Sequence, residues 1–131
     1  MDELSRVMCI EDDADVRMIL DFSLHRLGKY EVSLCASGQE ALDTVALFRP
    51  QLVLLDVMMP EMSGPQTLER LRALDEMRGV PVVFLTAKAM SDEVESLLKH
   101  GATGIIVKPF NSVSLPKDIR IFWEHGRGVA P

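Results

Sequence analysis

Polar side chains able to do chemistry stand at four places in this 131-residue chain, each just past a short apolar run. Glu11, Asp12 and Asp13 follow Val7 to Ile10, Asp56 follows Leu52 to Leu55, Thr86 follows Val80 to Leu85, and Lys108 closes the run Gly104 to Val107. Three or four carboxylates brought to one rim repel unless a cation neutralises them, and oxygen donors without His or Cys favour a hard ion such as Mg²⁺. Because Mg²⁺ keeps several waters and is usually held by one or two carboxylates plus phosphate oxygens, the set suits a phosphoryl ligand rather than the ion alone. Lys108 supplies a compact positive charge and Thr86 a hydroxyl donor to the same phosphoryl oxygens. A carboxylate so placed is a candidate nucleophile that would form an acyl phosphate.

The elements that must position these groups alternate, strand then helix, from end to end, the pattern of a parallel sheet with helices on both faces. Val7 to Ile10 leads into a helix with Val16, Ile19, Leu20, Leu24 and Leu27 at helical spacing, stopped at Gly28. Tyr30 to Cys35 alternates as an edge strand would. Ser37 and Glu40 form a capping box before Ala41, Leu42, Val45 and Ala46, and Pro50 marks that helix's end. Leu52 to Leu55 and Val80 to Leu85 are continuously apolar, as central parallel strands are. Between them Pro65 opens a helix with Leu68, Leu71 and Leu74 inward, closed by Gly79. Ser91 is the expected cap of a fourth helix with Val94, Leu97 and Leu98 inward and Gly101 beyond it. After the strand Gly104 to Val107 comes a helix with Pro116 near its start, Leu115, Ile119 and Phe122 inward, and Gly126 at its end. This predicts an α/β domain over 1–125 and a loose tail over 126–131. In open sheets of this kind functional groups gather at the carboxyl ends of the strands, where four of the five runs place them.

Composition narrows the function. A chain 47% hydrophobic and 26% charged suits one globular domain. No apolar run approaches the roughly 20 residues of a membrane span, and the acidic start Met1-Asp2-Glu3 is unlike a signal peptide, so a cytoplasmic location is expected. A net charge of −6 offers no basic stripe for nucleic acid, so any effect on DNA is expected to run through a partner. Cys9 and Cys35 lie in apolar runs without ligand spacing and are expected to be buried thiols. His25, His100 and His125 have no ligand-spaced partner.

The stretches Ile10-Glu11-Asp12-Asp13, Leu55-Asp56-Val57-Met58-Met59-Pro60-Glu61-Met62-Ser63-Gly64, Thr86-Ala87 and Lys108-Pro109-Phe110 resemble the four conserved blocks of response-regulator receiver domains, and the likeness covers nearly the whole chain. It implies a flavodoxin-like, doubly wound sheet of five parallel strands in the order 2-1-3-4-5 with five helices. An arginine or similar residue commonly stands five positions after the second acid of the family's pair. Arg17 stands five after Asp12, which makes Glu11 and Asp12 the pair. The resemblance implies that Asp12 and Asp56 ligate Mg²⁺ directly, that Glu11 acts through water, and that the Met58 backbone carbonyl is a further ligand. Asp56 is implied to take a phosphoryl group from a phosphohistidine of a sensor histidine kinase or histidine phosphotransfer protein. Thr86 and Lys108 are implied to contact the phosphoryl oxygens, Lys108-Pro109 to be a cis peptide, and Gly64 to sit where no side chain fits.

Taken singly, the acids are also a solvated helix start, Thr86 a β-branched strand residue and Lys108 a surface charge. Their joint placement is what those readings leave unexplained. A haloacid-dehalogenase-type hydrolase is disfavoured because Met58 stands where that Asp-x-Asp pattern needs its second acid, so a phosphoacceptor switch rather than an enzyme is expected. A phosphorylation-independent docking module is the other alternative. The chain ends soon after the fifth helix, so no effector domain is expected within it, and it reads as a stand-alone regulator or a receiver from a larger regulator or hybrid kinase. Where most receivers carry Tyr or Phe three residues before the lysine, this chain has Ile105. An apolar patch of Ile105, Ile121 and Trp123 is expected on the face of helix four, strand five and helix five. That face is expected to bind a downstream protein or a second copy, giving a monomer or weak homodimer.

Overall fold

The structure, a computed structural model, describes residues 3–88 and 90–125 and the main chain of 128–130. Strands β1 (Arg6–Ile10), β2 (Glu31–Cys35), β3 (Leu52–Asp56), β4 (Val82–Thr86) and β5 (Gly104–Val107) alternate with helices α1 (Ala14–Asp21), α2 (Gly38–Phe48), α3 (Gly64–Arg72), α4 (Ser91–Lys99) and α5 (Leu115–His125). All the strand pairs are parallel, and the five strands lie in the order 2-1-3-4-5. Every residue of β3 and β4 is buried, as their uninterrupted apolar runs require. β2 is the edge strand that its alternation suggested. One core, with Met8, Ile10, Leu55, Leu68, Phe84 and Leu97, lies under α2, α3 and α4; the other, with Val7, Cys9, Leu20, Leu54, Ile119 and Phe122, lies under α1 and α5. Cys9 and Cys35 are buried free thiols. None of the described helices is long and apolar enough to cross a membrane.

Several local expectations are corrected. Past Asp21 the first helix widens into a π-helical segment, Phe22–Leu27, which shifts its phase. Leu24 is buried as its spacing predicted and Ser23 is buried beside it, but Leu27 stands 44% exposed, and so, ahead of the widened segment, does Ile19 at 46%. The Ser37 hydroxyl does accept from the Glu40 N–H, at 3.1 Å, but the Glu40 carboxylate returns to the Ala36 N–H, one residue earlier than a capping box requires. A complete capping box instead opens α3, between Ser63 and Gln66. That helix ends at Arg72 rather than running on to Gly79. A 3₁₀ turn, Asp75–Met77, follows, held by the Arg72 guanidinium donating to the carbonyls of Met77 (3.0 Å) and Val80 (2.7 Å). Ser91 is the first residue of α4, not its cap; Met90 holds that position and offers no capping oxygen.

The tail also departs from expectation. Residues 128–130 form a short strand, β6 (Gly128–Ala130), parallel to β5, with Gly104, Ile105 and Ile106 opposite Gly128, Val129 and Ala130. An uncovered β5 would present unpaired main-chain groups, and this strand pairs with them. The expected stop at Gly126 lies outside the described residues.

Candidate functional site

The site grows out of the sheet register. Ile10 ends β1 opposite Leu55, so the acids after Ile10 arrive beside Asp56, the last residue of β3. Asp13 caps α1, its carboxylate accepting from the N–H groups of Asp15 (2.8 Å) and Val16 (3.3 Å), which fixes the turn carrying Glu11 and Asp12. The Arg17 guanidinium donates to the Glu11 carbonyl at 2.7 Å and ties the same turn to the next turn of the helix. Gly64 starts α3 against the end of β3: its N–H donates to the Val57 carbonyl at 2.9 Å. A methyl there would collide with the Asp56 carbonyl oxygen and lie 2.8 Å from Val57 Cα, so only glycine lets the loop close this tightly.

Carboxylate oxygens of Glu11, Asp12 and Asp56 all lie within 4.8 Å of one another. Glu11 is 1% exposed and Asp56 5%. The Lys108 ammonium donates to Glu11 Oε1 at 2.7 Å and to Asp56 Oδ1 at 3.1 Å, bridging the two buried acids. Burial pushes the Glu11 carboxyl up, to about 7, against the lowering effect of the Lys108 hydrogen bond and with the Asp56 charge adding to the rise. Burial alone would lower the Lys108 ammonium, but hydrogen bonds and charge attraction to Glu11 and Asp56 outweigh it and hold that group above its ordinary value. The donor set, three carboxylates with no His or Cys, fits a hard divalent ion, and a cation would relieve a cluster in which one ammonium faces three acids.

Thr86 lies at the same end of the sheet, 5% exposed, one residue past the β4 partner of Asp56. Its hydroxyl is engaged by the next loop, accepting from the Lys88 N–H at 3.1 Å and donating to the Lys88 carbonyl at 3.2 Å, rather than by the acids. The Met58 side chain is 74% exposed. Lys108-Pro109 is a cis peptide. Of the apolar patch expected on the α4, β5 and α5 face, Ile105 is fully buried in the α2, α3 and α4 core, because its side chain points under α4 rather than outward. Ile121 is 45% exposed, and Trp123 is half-buried against the α1 and α5 core. The Asp13 cap and the Arg17 contact are structural parts of the site that residue types alone did not assign.

The family profile described as "Response regulator receiver domain" matches residues 7–120. Transcriptional regulatory protein PrrA of Mycobacterium leprae is 39% identical over 105 residues, covering 80% of this chain and 44% of that protein. Transcriptional regulatory protein AfsQ1 of Streptomyces coelicolor is 35% identical over 120 residues, covering 92% and 52%. The chain thus spans about half the length of these curated relatives. Among solved structures, Vibrio cholerae chemotaxis protein CheY4 superposes with a TM-score of 0.83 at 30% identity, covering 89% of this chain and 97% of that one. The receiver domain of sensor histidine kinase PA1611 from Pseudomonas aeruginosa, which holds a magnesium ion in its active site cleft, superposes with a TM-score of 0.80 at 28% identity, covering 92% and 97%. With its strand order, its acidic cluster and this profile match in agreement, the chain belongs to the response-regulator receiver domain family.

Proposed function

We propose that this domain is a phosphoacceptor switch: Asp56 takes a phosphoryl group from a phosphohistidine of a sensor histidine kinase or histidine phosphotransfer protein, in a Mg²⁺-dependent reaction, and the phosphorylated form changes its binding to a downstream protein. The carrying observation is the meeting of Glu11, Asp12 and Asp56 within 4.8 Å, with Lys108 bridging two of them at the carboxyl ends of β1, β3 and β5. Asp12, Asp56 and the Met58 carbonyl would hold Mg²⁺, with Glu11 acting through water. Bound there, the ion would neutralise developing charge on the phosphoryl oxygens. An Asp56 carboxylate oxygen attacks phosphorus as the P–N bond to the imidazole breaks, and the imidazole leaves with the bonding pair and takes up a proton. The Lys108 ammonium, already at the acids, stabilises the negative phosphoryl oxygens. Thr86 donates to one of those oxygens after giving up its bonds to Lys88. The loop after β4 moves with it, and that movement carries the signal toward α4. Turnover of an external substrate has no part in this reading. The net charge of −6 favours a protein rather than DNA as the immediate target.

The test is intact mass after incubation with acetyl phosphate and Mg²⁺. The wild type should gain one phosphoryl group, while Asp56→Asn and the chelated wild type should gain none. Equal labelling of wild type and Asp56→Asn refutes the assignment. Asp12→Ala should also lose labelling, because it removes one of the carboxylate ligands.

A further inference from the structure

We propose that residues 128–130 are a built-in strand cover, which closes the β5 edge of the sheet against pairing with a second copy of the chain. The two sheet edges differ in how they are protected. β2 carries the exposed charge of Glu31 and alternating polar residues, which discourage strand addition. β5 reads Gly-Ile-Ile-Val, uncharged and rich in β-branched residues, the composition that invites another strand. Against it the chain lays Gly128–Ala130 in parallel register, Ile105 facing Val129, only two residues after α5 ends at His125.

The way this strand is reached marks it as a removable cover. From β2 to β5 each step past β1, β3 and β4 runs in one direction across the sheet, with α2, α3 and α4 on one face. The step from β5 to β6 continues in that direction, but α5 lies on the opposite face, with α1. This crossover therefore has the hand opposite to those before it, the sense seen in only about 2% of such connections. Chain chirality does not favour the arrangement, and the contact described for this strand is its main-chain pairing with β5 along three residues. A strand held in that way opens far more easily than β1 to β5.

In a parallel pair alternate residues turn their N–H toward the neighbour, so one of two adjacent residues must donate to β5. The double variant Gly128→Pro/Val129→Pro removes that donor whichever it is, and Gly128→Ala/Val129→Ala keeps both. Hydrogen exchange by mass spectrometry, on unphosphorylated full chains without Mg²⁺, should show residues 104–107 exchanging at least about tenfold faster in the proline variant, with the alanine variant close to wild type. Circular dichroism and a cooperative urea melt establish that both variants are folded. Sedimentation at concentrations where the wild type is monomeric should then show dimers of the proline variant. Unchanged exchange at 104–107 would mean that no cover exists, and faster exchange without self-association would mean that the edge needs none; either overturns the proposal. Because no phosphodonor enters these two readouts, their failure is distinct from failure of the phosphoacceptor assignment.

Discussion

Replacing Gly64 by alanine tests how tightly the main chain of the acceptor is held. The new methyl would press on the Asp56 carbonyl oxygen and sit 2.8 Å from Val57 Cα, where ordinary contact begins at 3.4 Å. Both neighbours are main chain and cannot rotate away, so the end of β3 or the start of α3 must move by at least the 0.6 Å between those two distances. Overpacking of this kind costs about 1–3 kcal/mol. A displacement approaching 1 Å at a reacting group costs up to about 10²-fold in rate, so labelling by acetyl phosphate should slow by roughly tenfold. Urea denaturation and timed intact-mass spectra measure the two effects. Gly79→Ala is the control: its backbone has φ +76° but nothing lies within 4 Å of the added methyl. It should lose about 1 kcal/mol from backbone strain and label at the wild-type rate. A Gly64→Ala protein within about 0.5 kcal/mol of wild type and labelled equally fast would refute the packing argument.

Lys108→Met leaves Glu11 and Asp56 without the ammonium that bridges them. A buried pair broken on one side costs about 3–5 kcal/mol, and since the Lys108 side chain is itself 23% exposed, a loss of about 2–3 kcal/mol is expected in urea melts without Mg²⁺. Adding Mg²⁺ should recover part of it. Met58 offers no group to orient an attacking water, so Met58→Asn should shorten the lifetime of the phosphorylated state several-fold, measured as loss of the added mass after donor removal. Ser63→Ala removes the capping hydroxyl of α3 and should cost about 1 kcal/mol in the same melts. Ile105→Ala should cost about 2–5 kcal/mol because the side chain is wholly buried, so any change in partner binding by that variant must be compared with its stability.

The central strands were readable because burial on both faces writes itself as an uninterrupted apolar run, as in Leu52–Leu55 and Val82–Leu85. The inward stripe of α5, Leu115, Ile119 and Phe122, was equally plain from its spacing. The same kind of signal failed in the first helix. The residues of Phe22–Leu27 suit an ordinary amphipathic helix, and only the wider turn, with the Ser23 hydroxyl donating to the Ser112 carbonyl at 2.6 Å, sends Leu27 outward. Ile105 failed for a related reason: a strand residue's exposure depends on what covers that face, and α4 covers it. β6 has no signal of its own, since Gly-Val-Ala is too short to carry a period. The acidic site was legible as residue types at strand ends. The bond from Lys108 to Glu11, 97 residues apart, was not, because no local pattern encodes which rim residues touch.

The strand order also dictates when the acids meet their counter-charge as the chain is made. β1, β2 and β3 lie together in the sheet and all fall within the first 56 residues, so Glu11, Asp12 and Asp56 belong to the portion that leaves the ribosome first. Lys108 comes after β5, the last of the five main strands to emerge. An amino-terminal intermediate of β1, β2 and β3 would therefore carry three crowded carboxylates with no ammonium among them. Docking of β5 both completes the sheet and removes that repulsion, which ties closure of the fold to electrical neutralisation of its reactive end.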